Sequence, residues 1–574
     1  MSGIAPLLDH LMQGAMPHLV AVPILAPLLT AGLMLLLEER RRRTRALLAV
    51  ISGAVGLTAA LALLYWVNAP GTGGGSGSIG VYLPGNWSAP FGIALVADRL
   101  SSMMVMLTGV IAFAVSIYAT SRWDRAGVHF HPLLQLQLMG LNGAFLTGDL
   151  FNLFVFFEVM LAASYGLLLH GSGRARVGAG LHYIVINLAA STLFVVGAAL
   201  LYGVTGTLNM ADLSARMTQL SAHDLALAHA AAALLASAFF AKAGAWPLNF
   251  WLVPAYSAAV PPVGAVFALL TKLGLYTLLR LWPLLFGLEA GPSALFGQNV
   301  LIGLGLVTLA LAALGMLGTQ RLSRLASYAV LISAGTLLAA VGLGARTAAV
   351  WAGALYYLLA STLAVAALFL LTDMIERWRN AGSSIAAHEA AAPFLTEDLR
   401  PRHDVNLDDE RQALYGRAIP AGAVFLGLSF LGCALLLAGM PPLAGFIGKV
   451  AMLHGLLGAP HVTRAGAVFL ALLLVSGLCA LIAFSRAGIR HLWTLEHHAT
   501  PALRAVEALP VALLLLICIT LTVAAGPVLR YTQATAQDLR HPAVYRAAVM
   551  QARPKPGPNS SAPASVPQME GAKP

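Results

Sequence analysis

The chain has 574 residues, of which 59% are hydrophobic and only 10% are Asp, Glu, Lys or Arg. A soluble domain carries about 25% charged residues, so this composition excludes a disordered chain and a basic nucleic-acid-binding protein. Apolar runs repeatedly reach the ~20 residues that cross a lipid bilayer as an α-helix. The formal charge of +11 comes mostly from arginines between those runs, so it indicates topology rather than an anionic ligand. The sequence therefore predicts an integral membrane protein.

The apolar runs predict an all-α polytopic protein with about 14 transmembrane helices. Because this number is even, both termini are expected on one side of the membrane. The centres of the predicted spans lie near Leu28, Leu57, Gly109, Met139, Met160, Phe194, Leu234, Leu269, Gly305, Leu331, Leu363, Leu435 running into Met452, Leu473 and Leu515.

Arginine is distributed unevenly between the two sets of loops. One set contains 20 arginines, grouped as Arg40 to Arg43 with Arg45, Arg122 with Arg125, Arg174 with Arg176, Arg321 with Arg324, the Arg377 to Arg417 segment, and Arg486, Arg490 and Arg504. The other set contains only Arg99, Arg216, Arg280, Arg346 and Arg464. We call these sides the arginine-rich face and the arginine-poor face. The positive-inside rule makes the arginine-rich face cytoplasmic, so both termini are predicted on the outer, periplasmic side.

Two long stretches do not have the composition of membrane spans. Residues 374–418 are rich in charged side chains and are expected to form a cytoplasmic loop or surface helix. Residues 531–574, which end in a Pro-, Ser- and Ala-rich stretch after Gln551, are expected to be a disordered tail.

Lysine occurs where a surface charge would not be expected. Of the five lysines, Lys555 and Lys573 are in the tail, whereas Lys242, Lys272 and Lys449 each lie inside a predicted span. A lysine at the bilayer centre costs at least ~2.5 kcal/mol, so three of them indicate a hydrated, protein-lined interior with a function. Unlike arginine, a desolvated lysine can release its proton at ordinary pH. The three buried lysines are therefore candidate proton carriers.

Glu158 is the acidic residue well inside the apolar run from Leu150 to Leu169. A carboxylate at this depth needs a cationic partner, which Lys242 or another intramembrane base could supply. A static structural ion pair is the alternative interpretation, because buried pairs are weak evidence for function.

Further polar residues lie near these candidates. Lys272, Tyr276 and Arg280 are spaced by four positions and share one helical stripe that runs towards the outer edge of the membrane. Arg280 could equally be an ordinary end-of-helix residue that extends to the interface. His182 and His454 lie near span ends, where a polar residue is more often an anchor than a proton carrier.

Helix-breaking residues accompany two of the lysines. Gly244 and Pro247 follow Lys242, and the pair Pro441 and Pro442 precedes Lys449. Interrupted helices recur at ion sites in transporters, although proline kinks without a function are also common in membranes. The sequence has no Walker A loop, dinucleotide-binding glycine motif, CxxC or HExxH motif, so neither a cofactor nor a metal is expected.

Three segments resemble a known superfamily. They are GDLFNLFVFFEVMLAASYGLLLH, FFAKAGAWPLNFWLVPAYSAAVPPVGAVFALLTKLGLYTLLR and MPPLAGFIGK. They are similar to the antiporter-like membrane subunits, a superfamily that includes the multisubunit monovalent cation/proton antiporters and the proton-pumping arm of respiratory NADH dehydrogenase. The run LYGVTGTLNMADL is most similar to the D subunits of those antiporters. The resemblance covers about Leu100 to Arg490.

The resemblance implies two inverted repeats of five helices, with the seventh and twelfth helices broken. It divides the chain into residues 1–99 (helices 1 and 2 and a Gly-rich external loop), 100–293 (helix 3 and the first repeat), 294–490 (the second repeat), 491–530 (helix 14) and the tail 531–574.

It also implies roles for single residues. Glu158 matches the carboxylate of the fifth helix, Lys242 the lysine of the seventh, Lys272 the connector of the eighth and Lys449 the lysine of the twelfth. Asp149 falls in the matching motif near a helix end. Two positions depart from the family pattern. Many relatives have a histidine where this chain has Ala360, so that Tyr357, Ser361 or water could carry that step, and His182 stands where relatives often have a permanent cation.

These observations predict a secondary-transporter subunit and not an enzyme. It is expected to move protons in exchange for Na⁺ or K⁺, in a bacterial inner membrane and together with other hydrophobic subunits. Two alternatives stay open: a membrane subunit of an NADH-quinone oxidoreductase or a membrane-bound hydrogenase, and a self-sufficient permease for a small solute.

Overall fold

The structure is a computed structural model that describes residues 18–38, 40–68, 79–123, 129–171, 173–390, 420–458, 461–493 and 503–554. The Gly-rich run at 71–78, the charged residues 391–419 and the tail 555–574 lie outside the described residues.

The described part of the chain consists mainly of helices. They are α1 Val22–Leu36, α2 Arg42–Asn68, α3 Arg99–Ala119, α4 Phe130–Leu146, α5 Leu150–Leu168, α6 Arg174–Thr205, α7 Met210–Met217, α8 Ala222–Ala243, α9 Leu252–Ala258, α10 Pro261–Phe286, α11 Gln298–Leu317, α12 Leu322–Gly344, α13 Ala348–Ala390, α14 Ala421–Ala438, α15 Ala444–Leu457, α16 Arg464–Gly488, α17 Ala505–Val523, α18 Ala525–Arg540 and α19 Ala543–Met550. One short antiparallel pair, β1 Gly80–Tyr82 and β2 Leu95–Ala97, connects α2 to α3 and places Val81 opposite Val96.

Twelve of the described helical stretches are long and apolar enough to cross a membrane. Every predicted centre falls within a described helix. The prediction of 14 spans also counts α1 and α4, which have only 15 and 17 residues, and treats α14 and α15 as one interrupted span. The prediction of a helical polytopic membrane protein is therefore confirmed, while the larger number of spans stays a prediction.

The core of the molecule lies around α10, α12 and α13. The most apolar stretches of α10 and α13 are entirely buried. In α12, 94% of the residues in that stretch are buried, compared with 28% in α17. These three central helices carry Lys272, Ser333 and Ser361 respectively, so the polar groups at their centre are enclosed by protein.

Two helices stop within the bundle where the sequence predicts breaks. α8 ends at Gly244 (φ 68°) and α14 ends at Gly439 (φ 77°), both in the left-handed conformation that glycine adopts without strain. Pro247 follows the first stop and Pro441 the second, and helix resumes in α9 and α15. Each break leaves helix-end carbonyl groups at depth, and these carbonyls need polar partners.

Glycines bring α13 and α15 into close contact. A Cβ on Gly353 would lie 2.4 Å from the backbone nitrogen of Met452, and one on Gly448 would lie 2.8 Å from the Cα of Tyr357. Small residues of this kind allow membrane helices to approach closely. The contact fixes α15, and with it Lys449, against the central helix α13.

The charged stretch from Met374, expected as a cytoplasmic loop or a surface helix, begins as helix, because α13 continues without interruption to Ala390. The charged side chains near the start of this stretch are compensated by other helices. Nη2 of Arg377 pairs with Oε2 of Glu507 at 3.0 Å, and the Tyr118 hydroxyl donates to Oδ2 of Asp373 at 2.7 Å. These residues form a paired cluster within α13.

The start of the predicted disordered tail is also corrected. Residues 525–550 form α18 and α19, which we call the C-terminal strap. One face of α18 packs on the bundle and buries Thr532, Ala536 and Leu539. Sequence hydropathy misses these helices because they lie along the protein and do not cross the membrane.

The contact between α13 and α15 predicts that a methyl group added at this contact destabilises the protein more than one added at an open position. Gly353→Ala should destabilise the protein by about 1–3 kcal/mol, because the methyl group must displace backbone. Gly427→Ala on α14 is the control, since no atom lies within 4 Å of the added Cβ. Thermal unfolding in detergent, followed by size-exclusion chromatography, measures both. Equal melting temperatures for the two variants would show that the helices are not in close contact.

Candidate functional site

Lys242 lies in the last turn of α8, beside the first helix break. Its side chain is buried, its Nζ donates to Oγ of Ser191 at 3.3 Å, and it lies 4.7 Å from the ring centre of Phe157. The carbonyl end of a helix carries a partial negative charge, which favours an ammonium group there. The break therefore provides part of the charge compensation that a buried lysine requires.

Glu158 is close enough to Lys242 to interact electrostatically. Among the residues that the structure describes, however, Glu158 forms no direct ion pair, and its Oε1 is buried without a hydrogen-bond partner. The direct contact expected from the sequence is thus not formed. A buried carboxylate oxygen without a partner is costly, so this arrangement favours either the approach of an amine or the entry of water.

Lys272 lies at the centre of the bundle and contacts two other helices. Its Nζ donates to Oγ of Ser333 on α12 at 2.7 Å, and Ser333 hydrogen-bonds Ser361 on α13 at 2.9 Å. Ser361 is a predicted relay residue, whereas Ser333 was missed. The only signal for Ser333 is a hydroxyl in the apolar run AVLISAGTLL, and such serines are common in membrane helices.

Lys449 lies after the second break but reaches back across it. Its Nζ donates to the carbonyl oxygen of Ala438, the last residue of α14, at 2.9 Å. A Cβ at Gly439 would lie 2.8 Å from this Nζ, so the glycine leaves room for the amine. Lys242 precedes its break in the sequence and Lys449 follows its own, yet both residues lie beside the glycine at which the first half-helix ends.

Tyr357 lies between the serine pair and α15. Its hydroxyl lies beside those of Ser333 and Thr336, while its backbone contacts Gly448, the neighbour of Lys449. Polar groups therefore extend from Lys272 through the hydroxyl groups towards Lys449, but no direct hydrogen bond among the described residues joins the serine pair to Lys449.

Arg280 is not an interfacial anchor. It is buried, and both of its terminal nitrogens bond to the Asp98 carboxylate, with Nη2 and Oδ1 2.7 Å apart. Tyr276, one turn before Arg280, donates its hydroxyl to the carbonyl oxygen of Phe145 at 2.6 Å. Burial alone would raise the pKa of the Asp98 carboxyl, but the charge and hydrogen bonds of Arg280 hold that pKa below its ordinary value.

Three of the predicted residues lie away from the three buried lysines. Asp149 caps α5 by accepting from the backbone nitrogen of Asn152 at 2.9 Å, and burial raises the pKa of its carboxyl. His182 is exposed, with Nδ1 2.9 Å from the carbonyl oxygen of Gly178, and His454 is exposed in the last turn of α15. Asp149 and His454 thus lie at helix ends, whereas His182 lies two turns inside α6, and their roles stay predictions.

A second group of polar residues was missed by sequence reasoning. The hydroxyls of Tyr183 and Ser164 lie 2.7 Å apart, and Tyr165 interacts electrostatically with Glu158. Nearby, the Tyr256 hydroxyl and the Trp251 indole nitrogen are buried without hydrogen-bond partners. Aromatic residues in apolar runs usually indicate packing, so nothing local to the sequence marks this cluster.

Metal ligands are not grouped in the part of the chain that the structure describes. No cluster of three or more His, Cys, Asp or Glu side chains there could hold a metal ion. What the arrangement provides is a series of amines and hydroxyls at bilayer depth. Amines can bind or release a proton, and hydroxyls can both accept and donate one.

The contact between Lys272 and Ser333 yields a prediction about stability. Ser333→Ala should cost about 1.5–3 kcal/mol, since it removes a hydrogen bond to a buried charged group. Ser327→Ala on the same helix is the matched control, because Ser327 only donates to the carbonyl oxygen of Ser323 at 2.8 Å. Thermal unfolding of both variants tests this. A larger loss for Ser327→Ala would contradict the assignment.

Comparisons with known proteins place this geometry in context. The family model described as "NADH:quinone oxidoreductase/Mrp antiporter, TM" matches residues 147–393. The D subunit of a probable K⁺/H⁺ antiporter from Rhizobium meliloti is 49% identical over 547 residues, which are 93% of this chain and 98% of that protein. The D subunit of an Na⁺/H⁺ antiporter from Bacillus subtilis is 32% identical over 541 residues, which are 93% of this chain and 100% of that protein.

Solved structures have the same fold. A chain of the Mrp complex from Dietzia sp. is 25% identical, with a TM-score of 0.75 over 93% of this chain and 99% of that chain. A chain of respiratory complex I from Thermus thermophilus with bound NADH is 22% identical, with a TM-score of 0.70 over 93% of this chain and 100% of that chain. At this identity, the second similarity concerns the fold alone.

Proposed function

Because the chain belongs to the D-subunit family of the multisubunit cation/proton antiporters, we propose that it is the proton-translocating membrane subunit of such an antiporter. The observation that carries this proposal is the set of three buried amines, Lys242, Lys272 and Lys449, each bonded to a hydroxyl or carbonyl oxygen. Charged groups at this depth are rarely kept without a function.

The first step uses Glu158 as a switch for Lys242. The two groups interact without a direct contact, so a small movement can bring them together or separate them. When the two groups are close together, the carboxylate holds the proton on the lysine. When they are separated, the buried ammonium loses its nearest opposite charge and releases the proton. Arginine could not perform this step, since it does not give up its proton at ordinary pH.

The second step carries the proton across the centre. Lys272 accepts it through intervening water, and Ser333 and Ser361 pass it on because each hydroxyl can donate and accept at the same time. Tyr357 and water extend the path to Lys449. There the helix-end carbonyl of Ala438 stabilises the charge before it leaves the protein.

The energy available from the membrane is sufficient for such a switch. Moving one charge across 100 mV is worth ~2.3 kcal/mol, whereas one pKa unit corresponds to ~1.4 kcal/mol. A change of about two pKa units in one amine therefore balances the field. Gain or loss of a neighbouring carboxylate changes the pKa of a buried amine by about this amount.

The proposal includes the architecture on which this path depends. It comprises 14 spans with two inverted repeats of five helices, the residue division given above, and both termini on the periplasmic side of a bacterial inner membrane. Both α8 and α14 end at a glycine beside a lysine: Lys242 lies in the last turn of α8, and Lys449 bonds to the last carbonyl of α14. This arrangement supports the internal symmetry.

The transported cation and the partners follow from the relatives. The relative with 49% identity is named for K⁺, and that with 32% for Na⁺, so we propose K⁺ as the first cation to test. Partner subunits are expected to be the other hydrophobic subunits of the antiporter complex. A membrane subunit of a redox enzyme is the second candidate, supported only by the fold shared with complex I. Copurification of iron-sulfur or flavin subunits would favour that candidate.

The proposed switch predicts a specific loss of transport. Lys242→Ala and Glu158→Ala should abolish cation-dependent proton movement in inverted vesicles while the complex still assembles. Lys242→Arg should also be inactive, because it keeps the charge but cannot release the proton. Glu38→Ala, which changes an exposed carboxylate between α1 and α2, is the control and should be active.

A pH-sensitive dye measures proton movement after addition of K⁺ or Na⁺, and copurification of the partner subunits measures assembly. Normal transport by an assembled Lys242→Ala or Lys242→Arg complex would refute the role of this amine.

A further inference from the structure

The arginine-poor end of the Lys272 stripe is closed by charged groups that the proposed proton path does not use. Arg280 lies two turns beyond Lys272 on α10 and holds the Asp98 carboxylate with both terminal nitrogens. Asp98 in turn caps α3 by accepting from the backbone nitrogen of Ser101 at 2.9 Å. The two charged side chains are only 7% and 13% exposed. The pair is thus part of the protein interior and is held by two helices.

A small cavity of about 30 Å³, large enough to hold a water molecule, adjoins this pair. Its lining includes Asp98, Arg99 and Arg280 from the bundle, together with Asp538 and Tyr545 from the C-terminal strap. Arg280 lines this cavity, whereas Tyr276 and Lys272, which precede it on α10, do not, so the Asp98–Arg280 pair lies between the cavity and the helical stripe that leads to Lys272.

The C-terminal strap covers this cavity and contacts the pair. Arg99 and Asp538 form an ion pair at 2.7 Å, and the Tyr531 hydroxyl donates to the carbonyl oxygen of Arg99, also at 2.7 Å. The ring of Tyr545 lies 5.1 Å from the guanidinium carbon of Arg280. These contacts tie the strap to the residue next to Asp98 and to Arg280 itself.

Neither member of the intact pair can carry a proton. A guanidinium does not release its proton at ordinary pH, and Arg280 holds the pKa of Asp98 low, so the carboxyl stays ionised. The Tyr276 hydroxyl, which lies between Lys272 and Arg280, already donates to the carbonyl oxygen of Phe145 and accepts from Arg280 at 3.4 Å. The polar groups of Tyr276, Arg280 and Asp98 are thus all occupied at this end of the stripe.

We propose that the Asp98–Arg280 ion pair is a barrier that prevents protons on Lys272 from leaking directly to the arginine-poor face, and that the C-terminal strap holds this barrier closed. The inference rests on the proposed function. Asp98 and Arg280 are positioning residues that never carry the transported proton. They direct it from Lys272 towards Ser333 and Lys449, so that its release stays coupled to cation exchange.

The barrier is tested by proton leak in the absence of a transported cation. The assembled complex is placed in liposomes with choline as the only added cation, and the decay of an imposed pH difference is followed with a fluorescent dye. Arg280→Gln leaves Asp98 as a carboxylate that can accept protons beside the cavity. The decay should become about tenfold faster, which corresponds to ~1.4 kcal/mol of lost barrier. Arg280→Lys restores the charge but, unlike arginine, can release its proton, so its leak should lie between those of Arg280→Gln and the unaltered complex.

A double variant distinguishes an ion pair that blocks protons from one that only stabilises the fold. If the leak of Arg280→Gln passes through Lys272, the variant Arg280→Gln with Lys272→Ala should lose the extra leak. General loosening of the fold would leave that leak in place. An unchanged leak in Arg280→Gln, or an extra leak that persists without Lys272, overturns the proposal.

Two strap variants test the same idea without changing the pair, and they decide it if Arg280→Gln does not assemble. Tyr545→Ala removes the ring over Arg280 and should increase the leak, whereas Tyr545→Phe keeps the ring and should not. Equal leaks in these two variants overturn the role of the strap. Failure of the barrier is distinguishable from failure of the proposed function, because antiport by the Lys242→Ala complex tests only the latter.

Discussion

The constraint on which the structure depends is the cost of placing an amine at bilayer depth. Each of the three lysines has an oxygen partner that reduces this cost. Lys449 bonds to the last carbonyl of α14, Lys242 in the last turn of α8 bonds to Ser191, and Lys272 bonds to Ser333. Two of these lysines lie beside a helix that ends at a glycine. The glycine and proline breaks are therefore part of the charge compensation as well as deviations from regular helix.

The features predicted from sequence are those that contrast with an apolar background. Lys242, Lys272, Lys449 and Glu158 are conspicuous because so few charged residues occur within spans, and Gly244 identifies a break because it follows a lysine and precedes a proline. All three lysines are buried, and α8 and α14 end at the glycines beside them, whereas Pro247, Pro441 and Pro442 are exposed on the outside of the bundle. Their roles in transport stay predictions.

Other features depend on contacts between distant residues and leave no local pattern. Asp98 and Arg280 are 182 positions apart. In the sequence, nothing distinguishes Ser333 from serines that bond only within their own helix. The C-terminal strap escapes hydropathy because α18 is polar on one side and lies along the bundle. α13 continues past Met374, where Arg377 pairs with Glu507, a residue of α17 that is distant in the sequence.

The three amines are not equivalent, and the difference bears on the direction of transfer. Lys242 lies in the last turn of α8 and the amine of Lys449 bonds to the last carbonyl of α14, where backbone dipoles favour the charged form, whereas Lys272 lies in the middle of an unbroken helix. Lys272 therefore lacks the helix-end stabilisation available to the other two. In the proposed path, such a site favours passage of the proton over its storage. A barrier on its third side, at Asp98 and Arg280, matters most for a site of this kind.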